Sequence, residues 1–255
     1  MNPGVTRRIG CLALVILIAG GTTATAAGPT GAGAVMNLLK SGKVPPERLG
    51  PVLEIVCTRG NAEELAYVYE RVLQPDALPA KLRLQVLRKL ADTAVTRKVV
   101  PAGDLSGISG LLESADAAVR DAAIALCGPW KVSAAVAPLS KLAADPHAPD
   151  DTRAAALAAI VHIDAAAAES VAAALTADVQ PFAIRALGIA SLTRSDLPRA
   201  ATLAASALSH ATGGDDPSRM VDAFLEKQGG TDALAAALEK STPSEDVAKL
   251  VLRRM

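Results

Sequence analysis

Leu82-Arg83-Leu84-Gln85-Val86-Leu87-Arg88-Lys89-Leu90 is the stretch whose reading decides the fold. Residues 82, 86, 87 and 90 fall on one face of a helix, with the charged residues spread around the rest. The stretch also recurs. Aligned on Arg83, Arg120, Arg153 and Arg185, four segments repeat at spacings of 37, 33 and 32 residues. One position before each arginine stand Leu82, Val119, Thr152 and Ile184. Four after stand Leu87, Ile124, Leu157 and Ile189, and seven after stand Leu90, Cys127, Ile160 and Leu192. The third position, Val86, Ala123, Ala156 and Gly188, becomes small, as expected where two helices approach closely. A weaker fifth copy surrounds Arg219, followed by Ala223 and Phe224.

Partner helices are expected between the aligned ones, over Val132 to Ala144, Ala165 to Thr176 and Leu197 to His210. Pro75, Pro79, Pro101, Pro146, Pro149 and Gly213-Gly214 punctuate the segments. An isolated helix pair cannot cover its own apolar face, so successive pairs stack and share a core. The expected architecture is therefore all-α: an α-solenoid of stacked antiparallel helix pairs, about five to six repeats, spanning 46–255.

Composition agrees with that expectation. About a fifth of the 255 residues are alanine, which has high helix propensity and permits close packing. Aromatics are only 2%, too few for the cross-strand pairs that sheets favour. Charged residues at 20% beside 51% hydrophobic exclude global disorder. The 26 basic and 26 acidic residues balance and form no dense cluster, so a nucleic-acid surface is excluded as the function.

The first 27 residues read as an address. Arg7 and Arg8 precede the apolar stretch Ile9 to Ala19, followed by Gly20-Gly21 and Thr-Ala-Thr-Ala-Ala. That order is a signal peptide with cleavage after Ala26 or Ala27, which predicts a periplasmic or secreted protein. The stretch falls short of the ~20 apolar residues of a spanning helix. Membrane contact is expected only if the segment is retained. Residues 28–45 read as a flexible linker with one apolar patch at Val35 to Leu39.

Asp116-Ala-Ala-Val119-Arg120-Asp-Ala-Ala-Ile124-Ala-Leu126 resembles the second helix of a HEAT repeat, with looser copies over Asp145 to Ile160 and Ala177 to Leu192. Thr152 departs from the expected valine, and Phe182-Ala-Ile184-Arg185 lacks the aspartate at its usual place. Gly128-Pro-Trp130-Lys131, Leu139 to Asp145 and Arg153 to Leu157 further resemble the HEAT block of large secreted bacterial proteins. Those proteins join a propeller-type dehydrogenase-like domain to the block and a cytochrome c-type domain after it. This chain has no C-x-x-C-H, so haem attachment and the electron-transfer role do not carry over.

Chemistry-bearing patterns are sparse. There is no G-x-S-x-G, no H-E-x-x-H and no phosphate-binding glycine loop. No catalytic residue, metal ligand or cofactor is nominated, and the chain is read as non-enzymatic. His147 lies in the loop Asp145-Pro-His-Ala-Pro-Asp150, read as an inter-helix connection in which Asp150 or Asp151 caps the next helix. Cys57 and Cys127, 70 residues apart at apolar helical positions, read as buried thiols. Trp130 reads as a filler between repeats, and one of Tyr67 and Tyr69 is expected to face outward. Arg83, Arg120, Arg153 and Arg185 read as a structural ladder, each bonding an aspartate or a helix C-terminus of the neighbouring unit. The functional expectation is an exported scaffold that binds another protein. The alternative is an accessory subunit, or detached HEAT block, of an exported dehydrogenase/cytochrome c redox assembly, with a redox protein as its partner.

Overall fold

The computed structural model describes residues 32–241 and 243–254. The expected signal peptide, its cleavage position and the first residues of the expected linker lie outside the described residues. Those described form an all-helical protein with no strand among them. The helices are α1 (Gly33–Lys40), α2 (Pro46–Arg59), α3 (Ala62–Leu73), α4 (Ala80–Arg97), α5 (Ile108–Leu112), α6 (Ala117–Cys127) and α7 (Val136–Ala144). They continue as α8 (Asp150–Ile163), α9 (Ala165–Leu175), α10 (Phe182–Leu192), α11 (Leu197–Ser209), α12 (Ser218–Leu225), α13 (Gly230–Leu238) and α14 (Glu245–Arg254).

Side-chain oxygens start several of these helices. Asn61 and Glu64 form a reciprocal capping box at α3, each accepting a backbone N–H at 2.9 Å. Asp116 accepts from Ala118 N at 2.9 Å, and Asp164 accepts from Ala166 N at the same distance. At α8 the sequence expectation fails. Pro149 holds the cap position without a side-chain bond, and Asp150 and Asp151 fall inside the first turn. Their carboxylates complement the helix dipole there instead of capping it.

Each even-numbered helix from α2 to α10 packs against the next even-numbered helix, and α12 packs against both α10 and α14. Bonds at their ends fix the direction. Arg97 donates to the carbonyl of Thr58 at 2.9 Å, joining the last turns of α2 and α4. Thr152 donates to Asp121 at 3.2 Å, joining the first turns of α6 and α8. Arg219 reaches Asp151 at 2.8 Å, so the starts of α8 and α12 also share an end. Among the odd-numbered helices, α7 packs on α8, α9 on both α8 and α10, and α11 on α10 and α13.

The aligned columns occupy the core. Every residue in the fourth and seventh positions after the arginines is buried, and Val119, Thr152 and Ile184 are buried in the column before them. Leu82 is half-buried. Gly188 marks the close approach expected of its column. A methyl group there would stand 2.8 Å from the carbonyl oxygen of Ala172 and 2.9 Å from Leu175 Cβ.

One expectation needs correcting. Within 28–45, read as flexible linker, Gly33–Lys40 is helical and packs on α2, burying Met36 and Leu39. Two large side chains three residues apart suffice to seat a two-turn helix on an existing face. Two backbone exits also stand out. Lys98 ends α4 at φ 55°, and Lys131 leaves the turn after α6 at φ 52°, both left-handed.

Candidate interaction groove

A groove of about 930 Å³ crosses α8, α10 and α12. Its floor is small and aliphatic, including Ala154, Leu157, Ala158, Ala186, Leu187 and Ala190. These residues fall one turn apart along α8 and α10, so the same periodicity that buries one face leaves a row of short side chains on another. A smaller hollow of about 390 Å³ lies between α2 and α4, crossed by a Lys89–Glu54 ion pair at 3.5 Å.

The two ends of the groove differ in sign. Around the first turns lie Asp150 and the loop carboxylates Asp215 and Asp216. Asp150 pairs with Arg153, and Arg219 is taken by Asp151. Asp215 accepts from Thr212 N at 2.8 Å, and Asp216 from Ser218 N at 2.9 Å; neither is in an ion pair among the described residues, although the Arg254 guanidinium acts on Asp216 at longer range. The Ser218 hydroxyl and backbone N–H hold the Asp216 carboxyl below the usual carboxylate range. Around the last turns lie Arg194 and Lys227, with Glu226 beside them. The Lys227 ammonium reaches the carbonyl of Arg194 at 3.5 Å, which fits a cation beyond a helix C-terminus.

On the α12 wall, Asp222 holds the guanidinium of Arg254 from α14 through two bonds of 2.7 and 2.6 Å. This two-pronged bond keeps the Asp222 carboxyl below its ordinary range and Arg254 above its own.

The four aligned arginines do not form the expected ladder. Arg83 alone bonds the end of another helix, its Nε donating to the carbonyl of Val72 at 2.7 Å. Arg153, with its side chain only 5% exposed, turns back to Asp150 three residues earlier in its own helix. Arg185 pairs at 3.5 Å with Asp178 in the loop just before its helix. Among the described residues Arg120 makes no ion pair, and Asp116 at the start of its helix caps Ala118 N. The Nε–H groups of Arg120, Arg153 and Arg185 are buried without a protein acceptor. A carboxylate in the same helix or adjoining loop, as for Arg153 and Arg185, is reached with little ordering of the long side chain.

The other singled-out residues are placed as follows. Cys57 and Cys127 are free and fully buried, and burial pushes both thiols up to about 12. Trp130 is 4% exposed and meets Tyr69 edge-on with ring centres 5.4 Å apart. Tyr69 is buried and donates to the carbonyl of Leu105 at 3.0 Å. Tyr67 is the outward one of the pair, with Lys40 and Arg71 over its ring at 5.6 and 5.5 Å. His147 donates its backbone N–H to Asp145, His162 packs beside Gly128, and His210 closes α11 on the carbonyl of Ser206. Among the described residues no three His, Cys, Asp or Glu side chains converge as a metal site, and no helix is long and apolar enough to cross a membrane.

Sequence reading missed the Asp151–Arg219 and Asp222–Arg254 pairs. The position of Arg219 as a fifth copy of the aligned arginine was the available signal for the first. No family model matches the chain, and no curated protein matches it.

Proposed function

We propose that this chain is an exported, non-catalytic protein–protein interaction scaffold, built as an α-solenoid of HEAT-like helix pairs. The observation that carries the reading is the open groove laid across three neighbouring helices of like direction, with short side chains on its floor and charge at both ends. Such a surface excludes water over a long strip without enclosing a small molecule. Affinity would then be spread over several units, none of them decisive alone. Export rests on the order of Arg7-Arg8, Ile9 to Ala19 and the small residues before Gly28.

The test uses the full chain, tagged at its C-terminus and expressed in its own host. Mass spectrometry of the recovered protein should give an N-terminus at Ala27 or Gly28. An intact N-terminus in the cytoplasmic fraction would refute export. Cross-linking in the envelope fraction should capture one partner in stoichiometric amount. Ala158→Arg with Ala183→Arg, both exposed groove positions, should abolish that capture while leaving the helical signal intact. A partner held equally by the variant would place the interface elsewhere, and no partner at all would overturn the scaffold reading.

A further inference from the structure

The groove has a direction, and the chain itself carries an example of what that direction accepts. The first turns of α8 and α12 meet at one end, where Asp215 and Asp216 form no ion pair among the described residues and the charge of Arg254 reaches only Asp216. The last turns of α10 and α12 meet at the other, where Arg194 and Lys227 outnumber Glu226. From Asp150 to Val161 the wall formed by α8 is about 17 Å long at 1.5 Å per residue, the length of a three-turn helix. The floor of alanines lets a backbone approach closely and leaves depth for aliphatic side chains from the other partner.

Helix α14 shows one way of meeting these charges. It opens with Glu245 and Asp246, closes with Arg253 and Arg254, and buries Val247 and Val251 between them. Its basic end, not its acidic one, sits at the carboxylate wall, where Arg254 grips Asp222 with two bonds. The Asp151–Arg219 pair is a second guanidinium already held at the same end. Acid in the first turn and base in the last also stabilise any helix against its own dipole, so the pattern suits both the groove and the helix that would enter it.

We propose that this groove takes one helix of a partner protein, acidic in its first turn, aliphatic along one stripe and basic in its last turn, laid with its last turn at Asp215 and Asp216. The helix therefore runs opposite to α8, α10 and α12. This deepens the scaffold reading and rests on it.

The experiment titrates the full chain into two fluorescein-labelled, side-chain-stapled peptides of about sixteen residues with the same Leu stripe. One has Glu-Asp in the first turn and Arg-Arg in the last; the other has these swapped. The first peptide should bind at least tenfold more tightly, with affinity falling as salt rises. Arg194→Glu with Lys227→Glu, on exposed side chains, should weaken the first peptide about tenfold and strengthen the swapped one. Equal binding of the two peptides, or the same preference after charge reversal, would overturn the proposal. If neither peptide binds while the cross-linked partner is still lost with Ala158→Arg and Ala183→Arg, the helix inference fails and the scaffold reading survives. If neither peptide binds and no partner is captured, both fail.

Discussion

Two cores lie along this chain, and they are filled in different ways. The one formed mainly by α1 to α8 is built from large side chains, with Tyr69, Trp130 and many leucines, and alanine supplies eight of its 36 buried residues. The one formed by α9 to α14 takes seven of its 16 buried residues from alanine, with Phe224 as its one buried aromatic. An alanine removes far less apolar surface from water than a leucine, by about 0.8 kcal/mol per missing CH₂. It compensates by letting helices approach, and Gly188, against Ala172 of this core and Leu175 of the other, marks such an approach at the border of the two. The first core is held by volume and the second by proximity, so the two should respond differently to the same kind of change.

Removal of bulk should hurt the first core most. Trp130→Ala is expected to cost about 3–5 kcal/mol, read as a shift in the chemical denaturation midpoint. A loss under about 1 kcal/mol would mean that the indole plugs a surface gap instead of carrying the core. Addition of bulk should hurt the second core. Gly188→Val is expected to cost about 1–3 kcal/mol, because the new side chain meets the backbone of α9. A neutral result in thermal melting would show that α9 and α10 slide apart easily and would end the contrast.

Local order gives a smaller effect. Asn61→Ala removes one half of the α3 capping box and should cost about 1 kcal/mol. Hydrogen exchange should show the loss concentrated in α3; an equal loss in α11 would mean that the two cores open as one unit. The native thiols give a parallel readout of the first core. With both pushed up to about 12, Cys57 and Cys127 should resist a thiol reagent at pH 8 until denaturant opens that core. Rapid labelling of Cys57 or Cys127 in the folded protein would contradict their burial.

The smallest effect concerns pH and belongs to the second core. Asp216 and Asp222 have folded-state carboxyls held below the ordinary value by Ser218 and Arg254 respectively. Their contribution is complete above about pH 4, where the unfolded carboxylate is already charged, and is lost as pH falls through the folded values. Asp222→Asn should flatten the acid limb of the stability profile slightly. An unchanged acid limb would assign that limb to other carboxylates.

Much of the core was legible because burial on a helix is periodic. Residues four and seven after each aligned arginine could be named as buried from spacing alone, and all of them are. The helix inside the expected linker was not legible, since the apolar patch from Val35 to Leu39 is too short for helical spacing to show and is flanked by glycine and alanine. The arginine destinations were not legible either. The pairing of Arg153 with Asp150, three residues earlier in its own helix, leaves no mark in the aligned columns. The Asp151–Arg219 pair joins residues 68 apart on α8 and α12, and sequence spacing does not encode how those two helices are turned toward each other.

Lys98 and Lys131 bear on how this protein could be redesigned. Both hold a left-handed backbone that a lysine adopts at a cost of about 1 kcal/mol and a glycine adopts freely. Each also sets a cation just beyond a helix end. Glycine at both exits would raise the melting temperature and reduce the positive surface potential in the same step. At these two positions, glycine would change the backbone strain and the positive surface charge together.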